Sequence, residues 1–468
     1  MTKQTDLLIL GGGTGGYVAA IRAAQKGLDV VLVEKDKLGG TCLHRGCIPT
    51  KSLLRSAEIA DTLRVANDFG IETDEASTIN FVNVNQRKQA IIDQLHKGIQ
   101  SLVTKNKITV VNGTGVVMGP SIFSPVSGAV IVTKEDGEEE VFLPKKLIIA
   151  TGSKPRELPN VPFDEEFILS SDGMLELEKL PKSIAIVGGG VIGTEWASLL
   201  NSFGVDVTLI EYTNRILPET SESISKAFQK AFENKGIKVH TNCEVEGADV
   251  LEDKVEIKIK ENESITAEKV MVAVGRAPNI FEIGLMNTSI QFDDKGIQVN
   301  EFYQTAESHI YAIGDCIPTL QLAHVAAKEG ELAVAHLAEE SVEPLNYSHV
   351  PRCTYASPEV ATVGYTSNDI PEDKKVKIGS FPFSGNGKAL IHGDSTGFVE
   401  VIRDEETDDL LGISIIGPHA TELISEGALG LYLNATPLEM GETVHPHPSL
   451  TEAVMEAALD TYDLAIHK

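Results

Sequence analysis

The chain has 468 residues, which is longer than the chain that a single hydrophobic core usually supports, so we expect two to four domains. Its 68 acidic residues outnumber its 40 basic residues, and the formal net charge of −28 argues against binding to nucleic acid or to an anionic membrane. The first residues lack the pattern of a signal peptide, and no apolar run reaches the roughly 18 residues of a membrane span, so the sequence predicts a cytoplasmic protein without membrane contact.

The N-terminal residues have the pattern of a βαβ unit. The apolar run Asp6–Leu10 predicts a buried strand, and the following residues predict a helix and a second strand that ends at Glu34. A carboxylate at that position can accept hydrogen bonds from ribose hydroxyls. The turn carries three glycines at the spacing of a dinucleotide-binding fingerprint, which are Gly11, Gly13 and Gly16.

Two cysteines follow this unit. Cys42 and Cys47 precede a predicted helix, Pro49–Ala66, whose N-terminus would favour a thiolate. A close pair in a reducing compartment indicates redox chemistry, and a pair of buried structural thiols is the other interpretation. No second Cys/His pair stands at structural-zinc spacing, so we expect no metal. The remaining cysteines are predicted to be packed thiols, and they are Cys243, Cys316 and Cys353.

The next segments predict one long helix and several strands. Phe81–Thr104 has helical spacing, Gly113–Thr133 has the pattern of strands and hairpins, and Lys146–Ala150 is a short apolar run typical of a buried strand. That strand ends at Thr151 and Gly152, and prolines soon afterwards mark the passage into a second domain.

The βαβ pattern recurs from Ser183, which predicts a second nucleotide-binding domain. A helix is expected over Thr194–Phe203 and a strand over Val205–Glu211. The carboxylate of Glu211 would bond a free ribose 2′-hydroxyl and repel a 2′-phosphate, which favours NAD over NADP, although Arg215 lies nearby. The second fingerprint consists of Gly188, Gly190 and Gly193.

After about Pro344 the glycine fingerprints stop, and strand-like runs alternate with helical segments. Strands are expected at Val360–Tyr365, Phe398–Ile402 and Leu411–Ile416, and helices at Glu422–Leu433 and Ser449–Asp460. This order predicts an α+β domain.

Two carboxylates each have two interpretations. Asp315 follows a predicted buried strand together with Gly314, and it either makes a turn or faces a cofactor ribose. Glu452 lies five residues after His447 on a proline-rich loop, where it could orient the histidine as a base. Glu452 also completes the capping-box pattern that begins at Ser449, in which it would bond backbone N–H instead.

Taken in this order, the motifs closely resemble those of the flavin-dependent pyridine nucleotide disulfide oxidoreductases, over essentially the whole chain. The matching segments are Gly11–Gly16 with Glu34, Cys42–Lys51, Ala150–Gly152, Gly188–Gly193, Ala273–Arg276, Ala312–Asp315 and His447–Glu452. The resemblance implies an α/β fold class, with two Rossmann-like FAD- and NAD-binding domains and a C-terminal α+β dimerisation domain. The implied bounds are 1–149 for the FAD-binding domain, 150–275 for the NAD-binding domain, 276–345 for a central domain that completes the FAD site, and 346–468 for the interface domain.

The resemblance also implies where FAD and NAD bind. The implied FAD site consists of Gly11, Gly13, Gly16, Glu34, Thr41, Lys51, Gly115, Thr151, Gly152, Gly314, Asp315 and Ala323. The implied NAD site consists of Gly188, Gly190, Gly193, Glu211, Val245, Gly275 and Arg276. Glu195 is implied to pair with Lys51 beneath the flavin.

By the same resemblance, Cys42 would exchange with a dithiol substrate, and Cys47 would face the flavin as the charge-transfer thiolate. His447, oriented by Glu452, would take the thiol proton and would belong to the other subunit of a homodimer. Between the cysteines many relatives have Asn-Val where this chain has His44 and Arg45. That pair either favours a thiolate or faces water, and it is similar to the forms that serve branched-chain 2-oxo acid complexes.

The branch of the family that the motifs resemble most oxidises protein-bound dihydrolipoyl groups with NAD. The expected partner is therefore the lipoylated acyltransferase of a 2-oxo acid dehydrogenase complex. One alternative is another disulfide reductase, which would use NAD(P)H to reduce a different thiol partner. A second is a flavoprotein without enzymatic activity, which would need neither the cysteine pair nor the His447–Glu452 pair.

Overall fold

The computed structural model describes residues 2–72, 78–120, 126–261 and 263–468. These residues form two compact units. The first comprises Met1–Ser52, Asn85–Arg156 and Gly275–Leu345, and the second comprises Leu53–Val84, Glu157–Val274 and Asn346–Lys468. The division into four domains at residues 149, 275 and 345 stays a prediction.

The bounds of the strands and helices are as follows. The strands are β1 (Thr2–Leu10), β2 (Val30–Glu34), β3 (Thr109–Asn112), β4 (Thr114–Met118), β5 (Ala129–Thr133), β6 (Glu139–Ile149), β7 (Ser153–Pro155), β8 (Ile168–Leu169), β9 (Ser183–Val187), β10 (Asp206–Ile210), β11 (Lys238–His240), β12 (Val245–Val250), β13 (Val255–Ile259), β14 (Ile265–Ala267), β15 (Lys269–Val272), β16 (Arg276–Pro278), β17 (Phe292–Asp293), β18 (Gly296–Ile297), β19 (Ile310–Ala312), β20 (Arg352–Thr354), β21 (Glu359–Gly364), β22 (Val376–Pro382), β23 (Phe398–Asp404) and β24 (Leu410–Gly417). The α-helices are α1 (Thr14–Gln25), α2 (Gly40–Arg45), α3 (Cys47–Arg64), α4 (Phe81–Lys105), α5 (Ser171–Leu175), α6 (Val191–Ser202), α7 (Glu222–Asn234), α8 (Ala323–Leu337), α9 (Gly387–His392), α10 (Ala420–Leu433), α11 (Pro437–Glu442) and α12 (Glu452–Asp460).

The first unit is built on a sheet with the order β3-β2-β1-β6-β5-β4, and β19 also pairs with β6. Strands β1, β2 and β3 pair in parallel, and β6 is parallel to β1 and β19. On its other side β6 continues into an antiparallel meander with β5 and β4. The continuous apolar run Leu7–Leu10 is buried, as expected of a strand covered on both faces. The carboxyl ends of β1 and β2 place the first fingerprint and Glu34 at one edge of the sheet.

The second unit contains a parallel sheet with the order β11-β10-β9-β15-β8 and a separate antiparallel sheet, β12-β13-β14. Its C-terminal part is an antiparallel sheet, β20-β21-β24-β23-β22, against which α10 and α12 pack. Strand β24 is buried along its whole length because it lies in the middle of this sheet. The predicted α/β fold with a C-terminal α+β part is confirmed.

Several element ends differ from the sequence-based expectation. Helix α6 begins at Val191 rather than Thr194, because Gly190 adopts an extended backbone and acts as the N-cap residue inside the fingerprint. Helix α12 begins at Glu452 rather than Ser449. The run Gly113–Thr133 contains β4 and β5 as expected, and its residues 121–125 lie outside the described residues. Among the helices that the structure describes, none is both long and apolar enough to cross a membrane.

Candidate functional site

The first fingerprint forms a tight turn with an open side. Gly11 has a φ of 110°, and a Cβ atom there would lie 2.2 Å from the carbonyl oxygen of Ala150. A Cβ atom at Gly16 would lie 1.9 Å from the carbonyl oxygen of Gly11. At Gly13, by contrast, the nearest atom would be 4.0 Å away. Packing therefore requires the outer two glycines, while the side above Gly13 is clear for the pyrophosphate of a dinucleotide.

The second fingerprint repeats this geometry in the second unit. Gly188 has a φ of 114°, and a Cβ atom there would lie 2.3 Å from the carbonyl oxygen of Ala273. A Cβ atom at Gly193 would lie 1.9 Å from the carbonyl oxygen of Gly188, whereas nothing lies within 4 Å of one at Gly190. Both turns thus have the shape that a dinucleotide needs.

The two carboxylates that were predicted to bind ribose also accept hydrogen bonds from the backbone of the glycine turns. Glu34 Oε2 accepts the N–H of Gly12 at 2.6 Å, and Oε1 accepts the N–H of Asp36 at 2.8 Å. Glu211 Oε2 accepts the N–H of Gly189 at 2.6 Å, and Oε1 accepts both the N–H and the hydroxyl of Thr213. A carboxylate has about four acceptor positions, so each can still accept a ribose hydroxyl. Both carboxylates therefore have a structural role that the motif alone did not predict.

Arg215, which opposed the prediction of NAD, is engaged with the backbone. Its Nη2 donates to the carbonyl oxygen of Pro218 at 2.8 Å. The guanidinium therefore hydrogen-bonds the loop after β10, while the carboxylate of Glu211 is buried at the end of that strand. This arrangement favours NAD over NADP. Val245, the other predicted NAD contact in this unit, begins β12 and pairs with Ile259.

The cysteine pair lies at the junction of two helices in the first unit. Cys42 is on α2, and Cys47 is the first residue of α3. Their side chains hydrogen-bond to each other; this bond, together with burial, raises the pKa of Cys42 far above its usual range. The hydroxyl of Thr14 and the charge of Lys51 act in the opposite direction. The N-terminus of α3 favours a negative charge on Cys47.

A further polar network lies around the predicted Asp315. Ser153 donates its hydroxyl to Asp315 Oδ2 at 2.6 Å and accepts a hydrogen bond from Arg276 Nε at 2.7 Å. Asp315 belongs to a short 3-10 turn at Gly314–Cys316, and its carboxylate is held by Ser153 rather than by its own turn. Thr151 and Gly152 lie next to this network, and their carbonyl oxygens accept hydrogen bonds from Asn279. Sequence reasoning missed Ser153, although it directly follows the Thr-Gly pair.

The turn at Gly314 is held by a carboxylate that sequence reasoning also missed. Glu329 on α8 is 0% exposed, and its Oε2 accepts the N–H of Gly314 at 2.6 Å. Its Oε1 accepts the hydroxyl of Thr319 at 2.8 Å. The sequence feature that could have identified Glu329 is an acidic residue on the apolar side of the helix that begins at Ala323. The buried carboxylate fixes the turn from which Asp315 projects.

His447 and His445 each pair with a glutamate in the second unit. His447 Nδ1–H donates to Glu452 Oε1 at 2.9 Å, and Ser449 N–H donates to Glu452 Oε2 at 2.8 Å. Glu452 therefore bonds both His447 and a backbone N–H, but Ser449 does not cap the helix, which begins at Glu452 with Thr451 as its N-cap residue. The role of Glu452 in making His447 a base stays a prediction. Partial burial opposes ionisation of Glu452, but the bonds from Ser449 and His447 outweigh it and lower its pKa. The histidine ring is 79% exposed, whereas His445, which bonds Glu426, is 6% exposed.

The remaining predicted residues have less distinctive surroundings. Gly115 lies on β4, where a Cβ atom would be 2.4 Å from Cδ1 of Leu10, so the Leu10 side chain would have to move to admit a larger residue. Glu195 is buried on α6, and its carboxylate accepts the N–H of Tyr355 at 2.9 Å. Gly275 has a φ of 104°. The remaining predicted FAD contact, Thr41, is half-buried on α2. The ligand contacts predicted for these residues, and the pairing of Glu195 with Lys51, stay predictions.

The cysteines outside the pair are packed, as expected. Burial raises the pKa of Cys316 to about 12, and its thiol donates to the carbonyl oxygen of Ile313 at 3.2 Å. Cys243 donates to the carbonyl oxygen of Thr241, and Cys353 packs against the core of the C-terminal sheet. Within the described ranges, no cluster of three or more His, Cys, Asp or Glu residues could hold a metal ion.

Two dinucleotide-binding turns, a hydrogen-bonded cysteine pair and a glutamate-oriented histidine define a dinucleotide-dependent oxidoreductase that acts on thiols or disulfides. Comparison with known proteins gives the family. The chain matches the pyridine nucleotide-disulphide oxidoreductases over residues 5–330, and the dimerisation domain of these enzymes over residues 350–458. The chain belongs to this family.

Curated relatives and solved structures agree with this assignment. A dihydrolipoyl dehydrogenase of Bacillus subtilis (strain 168) is 52% identical over 474 residues, covering 100% of each chain. A mitochondrial dihydrolipoyl dehydrogenase of Pisum sativum is 38% identical and covers 100% of this chain and 93% of the relative. The crystal structure of LpdA from Mycobacterium tuberculosis has a TM-score of 0.91 at 26% identity, covering 97% of this chain and 99% of that one.

Proposed function

We propose that the protein is a dihydrolipoyl dehydrogenase, which oxidises protein-bound dihydrolipoyl groups to lipoyl groups and reduces NAD. The observation that carries the proposal is the hydrogen-bonded pair Cys42 and Cys47, which lies in the same unit as the first dinucleotide-binding turn. Full-length relatives with this activity support the choice among the members of the family.

FAD and NAD are the cofactors. The open side above Gly13, the spare acceptor positions of Glu34 and the charge of Lys51 suit the pyrophosphate, ribose and flavin of FAD. The open side above Gly190 and the buried Glu211 suit NAD. FAD, when bound, supplies the two-electron chemistry that joins the cysteine pair to the nicotinamide. The protein provides the thiols, the proton acceptor and the placement of these groups.

The thiol chemistry runs through the two cysteines. One sulfur of the substrate dithiol attacks Cys42 of the Cys42–Cys47 disulfide, and the sulfur of Cys47 leaves as a thiolate. The second substrate sulfur then attacks the first, which releases the Cys42 thiol and closes the lipoyl disulfide. The substrate thereby loses two electrons and the cysteine pair gains them. The helix N-terminus at Cys47 stabilises the negative charge that this residue acquires.

His447 is the residue proposed to take the substrate proton. Because an ionised carboxylate only accepts hydrogen bonds, Glu452 keeps the proton of His447 on Nδ1 and leaves Nε2 as the acceptor. The lowered pKa of Glu452 keeps this carboxylate ionised at neutral pH. The ring is 79% exposed in the single chain, which suits a base that completes the site of a second subunit.

The dimerisation domain at residues 350–458 supports a homodimer. We propose that the active site is shared between subunits, with His447 acting across the interface, and that the enzyme works in the cytoplasm. Its partner would be the lipoylated acyltransferase of a 2-oxo acid dehydrogenase complex. The His44-Arg45 pair is similar to the forms that serve branched-chain complexes, so we propose that complex as one candidate. The acidic surface, with a formal net charge of −28, would attract a basic docking module of that complex.

Steady-state oxidation of dihydrolipoamide tests the proposed activity. The purified protein is mixed with dihydrolipoamide and NAD, and NADH is followed by absorbance, with NADP in place of NAD as a control. Glutathione disulfide with NADPH or NADH is tested alongside. Rapid, NAD-specific NADH formation supports the proposal. Failure with dihydrolipoamide together with NAD(P)H-dependent reduction of another disulfide would move the activity to a different disulfide reductase.

A further inference from the structure

Two of the four residues between the cysteines, His44 and Arg45, bond a loop of the first unit. His44 Nε2–H donates to the carbonyl oxygen of Leu38 at 2.9 Å, and Arg45 forms an ion pair with Asp36. Both acceptors lie in the loop after β2, which begins at the ribose-binding carboxylate Glu34. His44 therefore ties the short helix α2 to the nucleotide-binding loop, whereas Arg45 is exposed to water and pairs with a residue of the same loop.

A second histidine donates a hydrogen bond to the same carbonyl oxygen as His44. His96, on α4, donates its Nδ1–H to the Leu38 carbonyl oxygen, also at 2.9 Å. The two imidazole rings are 5.2 Å apart and meet edge to face at 69°. A carbonyl oxygen has two lone pairs, so both are used. Because a carbonyl cannot donate, each histidine must carry a proton on the nitrogen that faces Leu38.

The surroundings keep His44 neutral. Burial lowers the pKa of His44 and outweighs the hydrogen bond to Leu38, which acts in the opposite direction. His96 and Lys37 add to the lowering, whereas Asp36 opposes it. At neutral pH His44 is therefore a neutral donor to Leu38, which is itself buried.

The shared acceptor belongs to the segment that builds the first dinucleotide turn. Gly39, the next residue after Leu38, donates its N–H to the carbonyl oxygen of Gly12 at 2.9 Å. Glu34, four residues earlier than Leu38, accepts the N–H of the same Gly12. A shift of Leu38 would therefore move both the turn and the start of α2, which carries Cys42.

We propose that His44 and His96 are positioning residues that together hold α2 against the nucleotide-binding loop and so set the thiol–disulfide equilibrium of Cys42 and Cys47. A disulfide tolerates a narrow range of Cα separations and dihedral angles, so a fixed α2 favours ring closure. Loosening the helix lowers the effective concentration of one sulfur near the other. The inference rests on the proposed redox function of the cysteine pair.

The test compares variants that remove or keep the donor. His44→Leu and His96→Leu remove it, whereas His44→Gln and His96→Asn retain an amide N–H near the same place. The purified flavoprotein is equilibrated in dithiothreitol redox buffers, and the thiols of Cys42 and Cys47 are counted by alkylation and mass spectrometry. Each Leu variant should shift the equilibrium about fivefold towards the dithiol, or about 20 mV to less negative potential. Each amide variant should stay within about twofold of the wild type.

Two further variants and a spectroscopic measurement complete the test. Arg45→Gln removes an exposed ion pair from the same helix and should change the equilibrium by less than about twofold. Because His44 and His96 share one acceptor, the double Leu variant should show less than the sum of the two single effects. If His44→Leu is purified without FAD, the comparison of Leu and amide variants is made at His96, which lies on a separate helix. The long-wavelength absorbance of the reduced protein gives a second, spectroscopic measure.

The proposal is overturned if both Leu variants keep the wild-type equilibrium, or if the amide variants shift as far as the Leu variants. In the second case the rings would act by packing and not as donors. The wild-type assay with dihydrolipoamide and NAD is run in parallel. Its failure would refute the proposed function, whereas the alkylation equilibrium still reports on the histidine pair.

Discussion

Replacing Glu452 with glutamine tests whether this carboxylate determines which ring nitrogen of His447 carries the proton. In the structure one carboxylate oxygen accepts from His447 Nδ1–H at 2.9 Å, and the other accepts from Ser449 N–H at 2.8 Å. Glutamine has one acceptor oxygen. If that oxygen keeps the bond to Ser449, the amide NH₂ faces Nδ1, which must then be unprotonated. The ring proton moves to Nε2, the nitrogen that the proposed reaction needs as the base.

The size of the effect follows from the bond that is lost. A hydrogen bond to a charged group contributes about 1.5–3 kcal/mol. We therefore expect Glu452→Gln to lower kcat for NADH formation from dihydrolipoamide roughly 10- to 150-fold. FAD content and the KM for NAD should be unchanged, because the variant lies in neither nucleotide-binding turn.

Glu426→Gln is the matched control for this variant. It makes the same change beside the other histidine of the loop, where His445 Nε2 hydrogen-bonds Glu426 Oε1 at 2.9 Å and Nδ1–H donates to the carbonyl oxygen of Thr443 at 2.7 Å. That pair is largely buried, so the control should lower thermal stability while kcat stays within about threefold of the wild type. A Glu452→Gln enzyme with near-normal turnover, or a Glu426→Gln enzyme that is equally slow, would refute the reasoning.

The same variant has a predictable pH dependence in stability. The pKa of Glu452 in the folded protein lies below its ordinary value, so the ionised carboxylate stabilises the fold at pH values above its unfolded-state pKa. This stabilisation is lost as the pH falls through the folded-state pKa. The difference in Tm between the wild type and Glu452→Gln should be largest near neutral pH and should shrink below about pH 4.3. Thermal unfolding followed by circular dichroism measures it; a difference that grows on acidification contradicts the sign.

Four further variants test other parts of the site. His447→Gln should lower kcat roughly 10²–10⁴-fold with FAD still bound, and near-normal turnover would remove His447 from the mechanism. Cys47→Ser should abolish the long-wavelength flavin–thiolate absorbance on reduction, and persistence of that band would show that another group produces it. Gly190→Ala places a methyl group on the open side of the second turn and should raise the KM for NAD about tenfold with unchanged Tm. Gly193→Ala, where the added Cβ atom would lie 1.9 Å from a backbone oxygen, should instead lower Tm, and equal effects in the two variants would contradict the geometry.

The parts of the fold that depend on local pattern were predictable. Strand β1, its glycine turn and the strand that ends at Glu34 follow from residues close together in the chain, and the same holds for the second fingerprint. The helix starts were less accurate. Gly190 can be extended, so α6 begins inside the fingerprint, and no local pattern distinguishes this start from one three residues later.

The contacts that complete the site were not predictable, because they join residues far apart in sequence. Ser153 reaches Asp315 across 162 positions, and His96 reaches Leu38 across 58. Such pairings depend on the tertiary fold and leave no periodic signal. Glu452 shows a different limit. Its spacing fitted a bond to His447 or a bond to backbone N–H, and only the geometry shows that its two oxygens make one of each.

One measurement tests the central claim that Cys42 and Cys47 carry electrons from a dihydrolipoyl dithiol to NAD. The oxidised protein is mixed with one equivalent of dihydrolipoamide without NAD, and the exposed thiols are alkylated and located by mass spectrometry, before and after NAD is added. We predict that both cysteines become alkylated without NAD, that NAD restores their protection, and that Cys243, Cys316 and Cys353 do not change. Labelling of the pair that is independent of dihydrolipoamide, or that NAD does not reverse, would contradict the claim.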